Sequence, residues 1–187
     1  MNEKYLPGTV IEDSDENGIA FSMFEKMAAV TGGLNLSQIC SITGLEPSTI
    51  QNWVKRGWVS RPNGKKYNAV QLARILIINM LRNTMQLEKI ALLLEYVNGK
   101  VDDLSDDIID ETELYNLLCA SLQALRQCHG ISAQIIQKVT EEQLQKYQEP
   151  FPGAAVRLRK ALVIMMLAYA SGLIRLQAEE LLSGLLA

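Results

Sequence analysis

The chain has 187 residues, of which 48% are hydrophobic and 6% aromatic, and its net charge is −3. That length can bury a full core, and a mix rich in Leu, Ile, Met, Ala and Gln favours helices over sheets. A disulfide-stapled scaffold is excluded: the three cysteines, Cys40, Cys119 and Cys128, form no C-x-x-C pair and read as reduced thiols of a cytoplasmic protein.

The small net charge hides a division along the chain. Residues 1–35 carry net −4, residues 36–100 net +6, residues 101–149 net −7 and residues 150–187 net +2. Between Pro47 and Leu87 there are seven bases and no acid. One segment alone is therefore suited to meet a polyanion.

The N-terminal MNEKYLPGTVIEDSDENG has no apolar centre, so it does not read as a signal peptide. Residues 1–17 read as a mobile or loosely docked arm. A short helix is expected from Ile19 to Val30, stopped by Gly32-Gly33. In LSQICSIT, Ser37 is placed to cap a helix whose stripe is Leu36, Ile39, Cys40 and Ile42. Gly44 suits a left-handed stop and Pro47 the first position of the next helix, which runs to about Arg56 before Gly57. Two short helices across a tight turn form a helix-turn-helix pattern. Next, Pro62-Asn63-Gly64 between Trp58–Arg61 and Lys65–Tyr67 predicts a small β-wing. Helices are expected over 69–81 and 87–97, closed by Asn98-Gly99.

Residues 100–109 read as an acidic linker, and further helices are expected over about 110–127 and 132–147. Pro150 and Pro152 mark a break. The tail reads as one or two apolar helices, with Ser171-Gly172 as a candidate interruption. Its most apolar stretch, ALVIMMLAYASGLI (161–174), is shorter than the ~18–20 residues that span a bilayer. Arg157, Arg159, Lys160 and Arg175 flank it, so it reads as a buried helix rather than a membrane segment. The division is thus an arm and short helix at 1–35, a winged helix-turn-helix at 36–99, a linker at 100–109 and a helical region at 110–187. The fold class is all-α with a small wing.

The second helix of the pair carries the candidate chemistry. On a 100° wheel, Ser48, Gln51, Asn52, Lys55 and Arg56 share one arc, and Ile50, Trp53 and Val54 the opposite arc. Asn and Gln can bond adenine bidentately, while Lys and Arg reach guanine or phosphate. Trp53 is expected in the core. Trp58 is expected to pack at the base of the wing rather than lie open against a sugar-phosphate edge.

Residues 36–99 resemble the N-terminal domain of MerR-type transcription regulators. The turn is Thr43-Gly44-Leu45, and the T-I-R-aromatic-aromatic-E-x-x-G-L pattern becomes Thr49-Ile50-Gln51-Asn52-Trp53-Val54-Lys55-Arg56-Gly57-Trp58. The wing leads to Tyr67, and an L-x-x-I-x-x-L-L helix begins at Leu87. Gln51, Asn52 and Val54 stand where the family has Arg, an aromatic and Glu, and Lys65-Lys66 replace its Tyr-Arg pair. The family's long dimerisation helix does not follow directly. The whole layout also resembles a family of uncharacterised bacterial proteins carrying this kind of domain.

These observations lead to an expectation of sequence-specific binding to double-stranded DNA by a homodimeric transcription regulator. Ser48, Gln51, Asn52 and Lys55 face base edges, and Arg56, Arg61, Lys65 and Lys66 hold phosphates. The alternative from another class is a protein-interaction adaptor that keeps the fold without DNA binding. No enzyme is expected: there is one histidine, no phosphate-binding Gly-rich loop and no nucleophile beside a base. No metal or cofactor is expected either, since Cys119 and Cys128 point to opposite sides of a continuous helix. The C-terminal half stays open between a helical bundle, a dimer interface and an apolar pocket for a small-molecule effector.

Overall fold

The structure, a computed structural model, describes residues 5–12, 20–101, 103 and 105–186. The start of the helix expected at Ile19, most of the arm and two linker residues lie outside the described residues. The architecture is mostly helical. In chain order it comprises α1 (Ala20–Thr31), β1 (Leu34–Asn35), α2 (Leu36–Thr43), α3 (Pro47–Lys55), β2 (Lys66–Tyr67), α4 (Ala69–Leu81), α5 (Leu87–Asn98), α6 (Glu111–Arg126), α7 (Ala133–Gln143) and α8 (Ala154–Leu186), with a 3-10 turn at Leu144–Lys146.

The centre is α4. Its sequence AVQLARILIINML is apolar nearly all round, and such a helix must be covered on every side. Here α1, α2, α5, α6 and α8 pack around it, and one continuous core runs from Leu6 to Ala170. An Asn68/Gln71 capping box starts α4, with each side chain bonded to the other residue's backbone N–H at 2.8 Å.

Several expectations are corrected by packing. The cap of α2 is Asn35, not Ser37: Asn35 and Gln38 form a second capping box at 2.9 Å. Residues 5–12 are not loosely docked. Val10 N–H donates to Ile42 O at 2.9 Å, Asn79 to Gly8 O at 2.8 Å and the Tyr115 hydroxyl to Pro7 O at 2.7 Å. Leu6 is buried beneath them. Gly8 has φ 77° and lies so close to α4 that a Cβ there would meet Leu76 O at 2.4 Å, so only glycine lets the arm approach.

Residues 106–109, within the stretch expected as an acidic linker, are docked as well. Ile108 and Ile109 are buried, the Asn98 amide donates to Ile109 O at 2.7 Å, and Arg157 reaches Asp106 O at 3.0 Å. Two isoleucines outweigh the acids around them. The tail forms one helix with no interruption at Ser171-Gly172. Gly172 is buried against Thr84, whose methyl a Cβ would meet at 2.9 Å. By length and composition alone, α8 could cross a membrane, but its first half fills the core with Leu158, Leu162, Met165, Met166 and Tyr169.

Trp53 is fully buried, at the contact of α3 with the rest of the core. Trp53→Ala should therefore destabilise the fold by about 3–5 kcal/mol. Chemical denaturation followed by far-UV circular dichroism measures this.

Candidate nucleic-acid interface

The turn between α2 and α3 is built by three residues. Gly44 is left-handed at φ 69°, and its N–H donates to Cys40 O. The Thr43 hydroxyl donates to Ile39 O at 2.7 Å and accepts from Leu45 N–H at 3.2 Å. These bonds set the angle at which α3 departs. Pro47 occupies its first turn, Ile50 and Trp53 face inward, and Val54 is half-buried. Ser48, Gln51, Asn52 and Lys55 are all exposed on the opposite side. No acid interrupts that face. Burial, and then the nearby Glu46, push the Cys40 thiol on α2 above its ordinary range.

The β-wing differs from expectation in register and in partner. The tight turn spans Asn63 to Lys66, with reciprocal bonds of 2.9 and 2.8 Å. Its central residues are Gly64 and Lys65, at φ 53° and 69°, one step later than Asn63-Gly64. Two successive positive φ values give the twist that a two-residue hairpin needs. Residues 58–60 do not pair with 65–67. β2 pairs instead with β1, antiparallel, with Leu34 opposite Tyr67 and Asn35 opposite Lys66. The segment leading into α2 thus supplies the strand that the sequence assigns to Trp58–Arg61.

This register divides the expected cations. Lys65 is exposed at the turn tip and lines, together with Gln51, an open groove of about 640 Å³ whose apolar lining is Leu36, Val54, Pro62 and Tyr67. Lys66 turns the other way. Its ammonium donates to Gly33 O at 3.2 Å and Thr31 O at 3.4 Å, where it neutralises the carbonyl end of α1. Arg61 is exposed but lines a separate groove with Glu25 and Lys66 on the α1 side. Arg56 lies 4.9 Å over the Trp58 ring and donates to Glu88 at 3.0 Å. That pair is half exposed on both sides, so it is a weak tether. Gln51 and Lys65 line one groove, Ser48, Asn52 and Lys55 are exposed on the same helix, Arg61 opens onto the groove on the α1 side, and Arg56 and Lys66 are turned towards other neighbours.

Sequence reasoning missed the residues that hold this surface. Ser37 lines the Gln51–Lys65 groove because Asn35, not Ser37, caps α2. The Asn35-x-x-Gln38 pattern is the signal that could have revealed it. Gln71 donates to Ser60 O at 2.9 Å and Arg61 O at 3.0 Å. Arg74 donates from Nε to Trp58 O at 2.6 Å and from its other end to Glu111, the first residue of α6. Both members of this ion pair are buried. Burial pushes the Glu111 carboxyl up, against the pull of the Arg74 guanidinium. Segment 58–61 is thereby bolted to α4, and through Arg74 to the C-terminal half.

Residues 27–118 match the family model described as a domain of unknown function, DUF1836. That region runs from α1 into α6, across the whole candidate surface and the Arg74–Glu111 pair. The "Uncharacterized protein YkrK" of Bacillus subtilis (strain 168) is 26% identical over 163 residues, covering 82% of this chain and 70% of that protein. No solved structure matches the chain.

Proposed function

We propose that the chain is a sequence-specific DNA-binding regulator acting in the cytoplasm as a homodimer. In this reading α2, its turn and α3 are a helix-turn-helix of the MerR-like winged kind, and Asn63–Lys66 is the tip of a minimal wing. The observation that carries it is the exposed, acid-free face of α3, with Gln51 and Lys65 lining one groove beside it. Ser48, Gln51, Asn52 and Lys55 read base edges, and Lys65 and Arg61 hold phosphates on either side. Lys66 has a structural role first, and Arg56 must leave Glu88 before it can reach a phosphate.

The test is fluorescence anisotropy of a random-sequence duplex with the full chain across a salt series. Affinity is expected to fall log-linearly with salt. Lys65→Ala should reduce the slope by about 0.9, the value of one released counterion contact. Lys66→Ala should change the slope less and instead lower thermal stability, because the end of α1 loses its cation. No salt-dependent binding by the wild type would sink the proposal and leave the adaptor reading, which the apolar floor of the groove and the presence of Gln51 favour.

A further inference from the structure

The residues that α8 leaves outside its own core form a second, ordered pattern. Leu158, Leu162, Met165, Met166 and Tyr169 face inward. On the opposite side run Ile164, Leu167, Ser171, Ile174, Ala178 and Leu181, all exposed, and Leu185 continues the series. Their spacing alternates three and four residues throughout, which is the a/d seam of a heptad repeat, sustained here over about three heptads. The five large aliphatic side chains of this seam are between 40% and 83% exposed. No charged residue occurs on any face from Ala161 to Ile174. Beyond Gly172 the helix leaves the body of the protein as an overhang about 21 Å long.

We infer that this seam pairs with the same seam of a second copy, antiparallel, so that each overhang lies across the partner's packed half. A helix apolar on both faces needs cover on both, and its own chain covers only one. The pattern is self-complementary in that orientation. Ile164 meets Leu181, Leu167 meets Ala178 and Ser171 meets Ile174, each contact occurring twice about the twofold axis. In two of these three layers a large side chain falls opposite a small one, Leu167 on Ala178 and Ile174 on Ser171. A parallel pair would instead stack Ser171 on Ser171 and Ala178 on Ala178, leaving thin layers beside crowded ones. A bilayer would not need this alternation, and it would have to accept Arg175, Glu179 and Glu180 on the overhang. The two charges that form an ion pair there, Arg175 and Glu179 at 2.9 Å, bond within the helix and off the seam.

This names the contact for the homodimer proposed above and is independent of DNA binding, because it is tested without DNA. The measurement is light scattering after size exclusion on the full chain at micromolar concentration. The wild type should run at the mass of two chains. Ile164→Lys and Leu181→Glu should each give one-chain mass with unchanged circular dichroism, since both side chains lie outside the core. The double variant Ile164→Lys with Leu181→Glu should return to two chains, because antiparallel pairing sets each lysine against a glutamate. One-chain mass for the wild type, a two-chain Leu181→Glu variant, or a double variant that stays single would each overturn the inference. So would flotation of a one-chain wild type with vesicles of phosphatidylglycerol and phosphatidylethanolamine.

Discussion

Replacing Asn52 with alanine is expected to cost about 1–3 kcal/mol of affinity for the preferred duplex and almost nothing for a random one. The preferred duplex comes from selection out of a random library, and anisotropy on both sequences reads the difference. The expectation rests on where Asn52 sits. It is exposed on the outer face of α3, one residue from the fully buried Trp53, so its Cα position is fixed while its amide is open. An amide on a rigid helix can offer the paired donor and acceptor that adenine presents in the major groove. Gln51 carries the same group on the same face but also borders the Lys65 groove. Gln51→Ala should therefore relax sequence preference at a different base position from Asn52→Ala. If both variants lose affinity equally on every sequence, the two amides contact the backbone and do not read bases.

Glu111→Ala is expected to destabilise the protein by about 3–5 kcal/mol, because it leaves the Arg74 guanidinium buried without its counter-charge. Urea unfolding gives this value. Glu111→Gln should cost less, since it keeps an acceptor for Arg74 and burial already disfavours the carboxylate. Arg74→Met combined with Glu111→Leu should recover a large part of the loss, as apolar replacements for buried ion pairs do. The functional consequence is separate. Arg74 also holds Trp58 O, so Glu111→Ala should loosen segment 58–61 and weaken DNA binding at temperatures where the fold is intact. Equal stability of Glu111→Ala and the wild type would mean that the pair is not what joins the two halves.

The candidate face of α3 was legible because helix periodicity is a local property. Ile50 and Trp53 on one side and Ser48, Gln51, Asn52 and Lys55 on the other follow from 100° steps and need no tertiary information. The fate of Lys66 and Arg56 was not legible. Their partners are the Thr31 and Gly33 carbonyls and Glu88, respectively, some 30 or more residues away in the chain. The wing was legible as a turn but not in its pairing, because Asn-Gly signals a hairpin whose register depends on the strand that lies beside it. That strand, Leu34–Asn35, is too short to be recognised alone.

By itself, the sequence determined the helical class, the bounds of α4 and the opposed faces of α3, since each depends on side-chain pattern over one or two turns. It also determined the charge division that gives residues 36–100 the largest positive charge. Only the tertiary structure decided which cations stay exposed, that residues 5–12 and 106–109 are docked, and that α8 runs unbroken past the core. Those outcomes depend on which distant surfaces meet. Buried area and the pairing of buried polar groups settle such choices, and neither can be computed from a window of neighbouring residues.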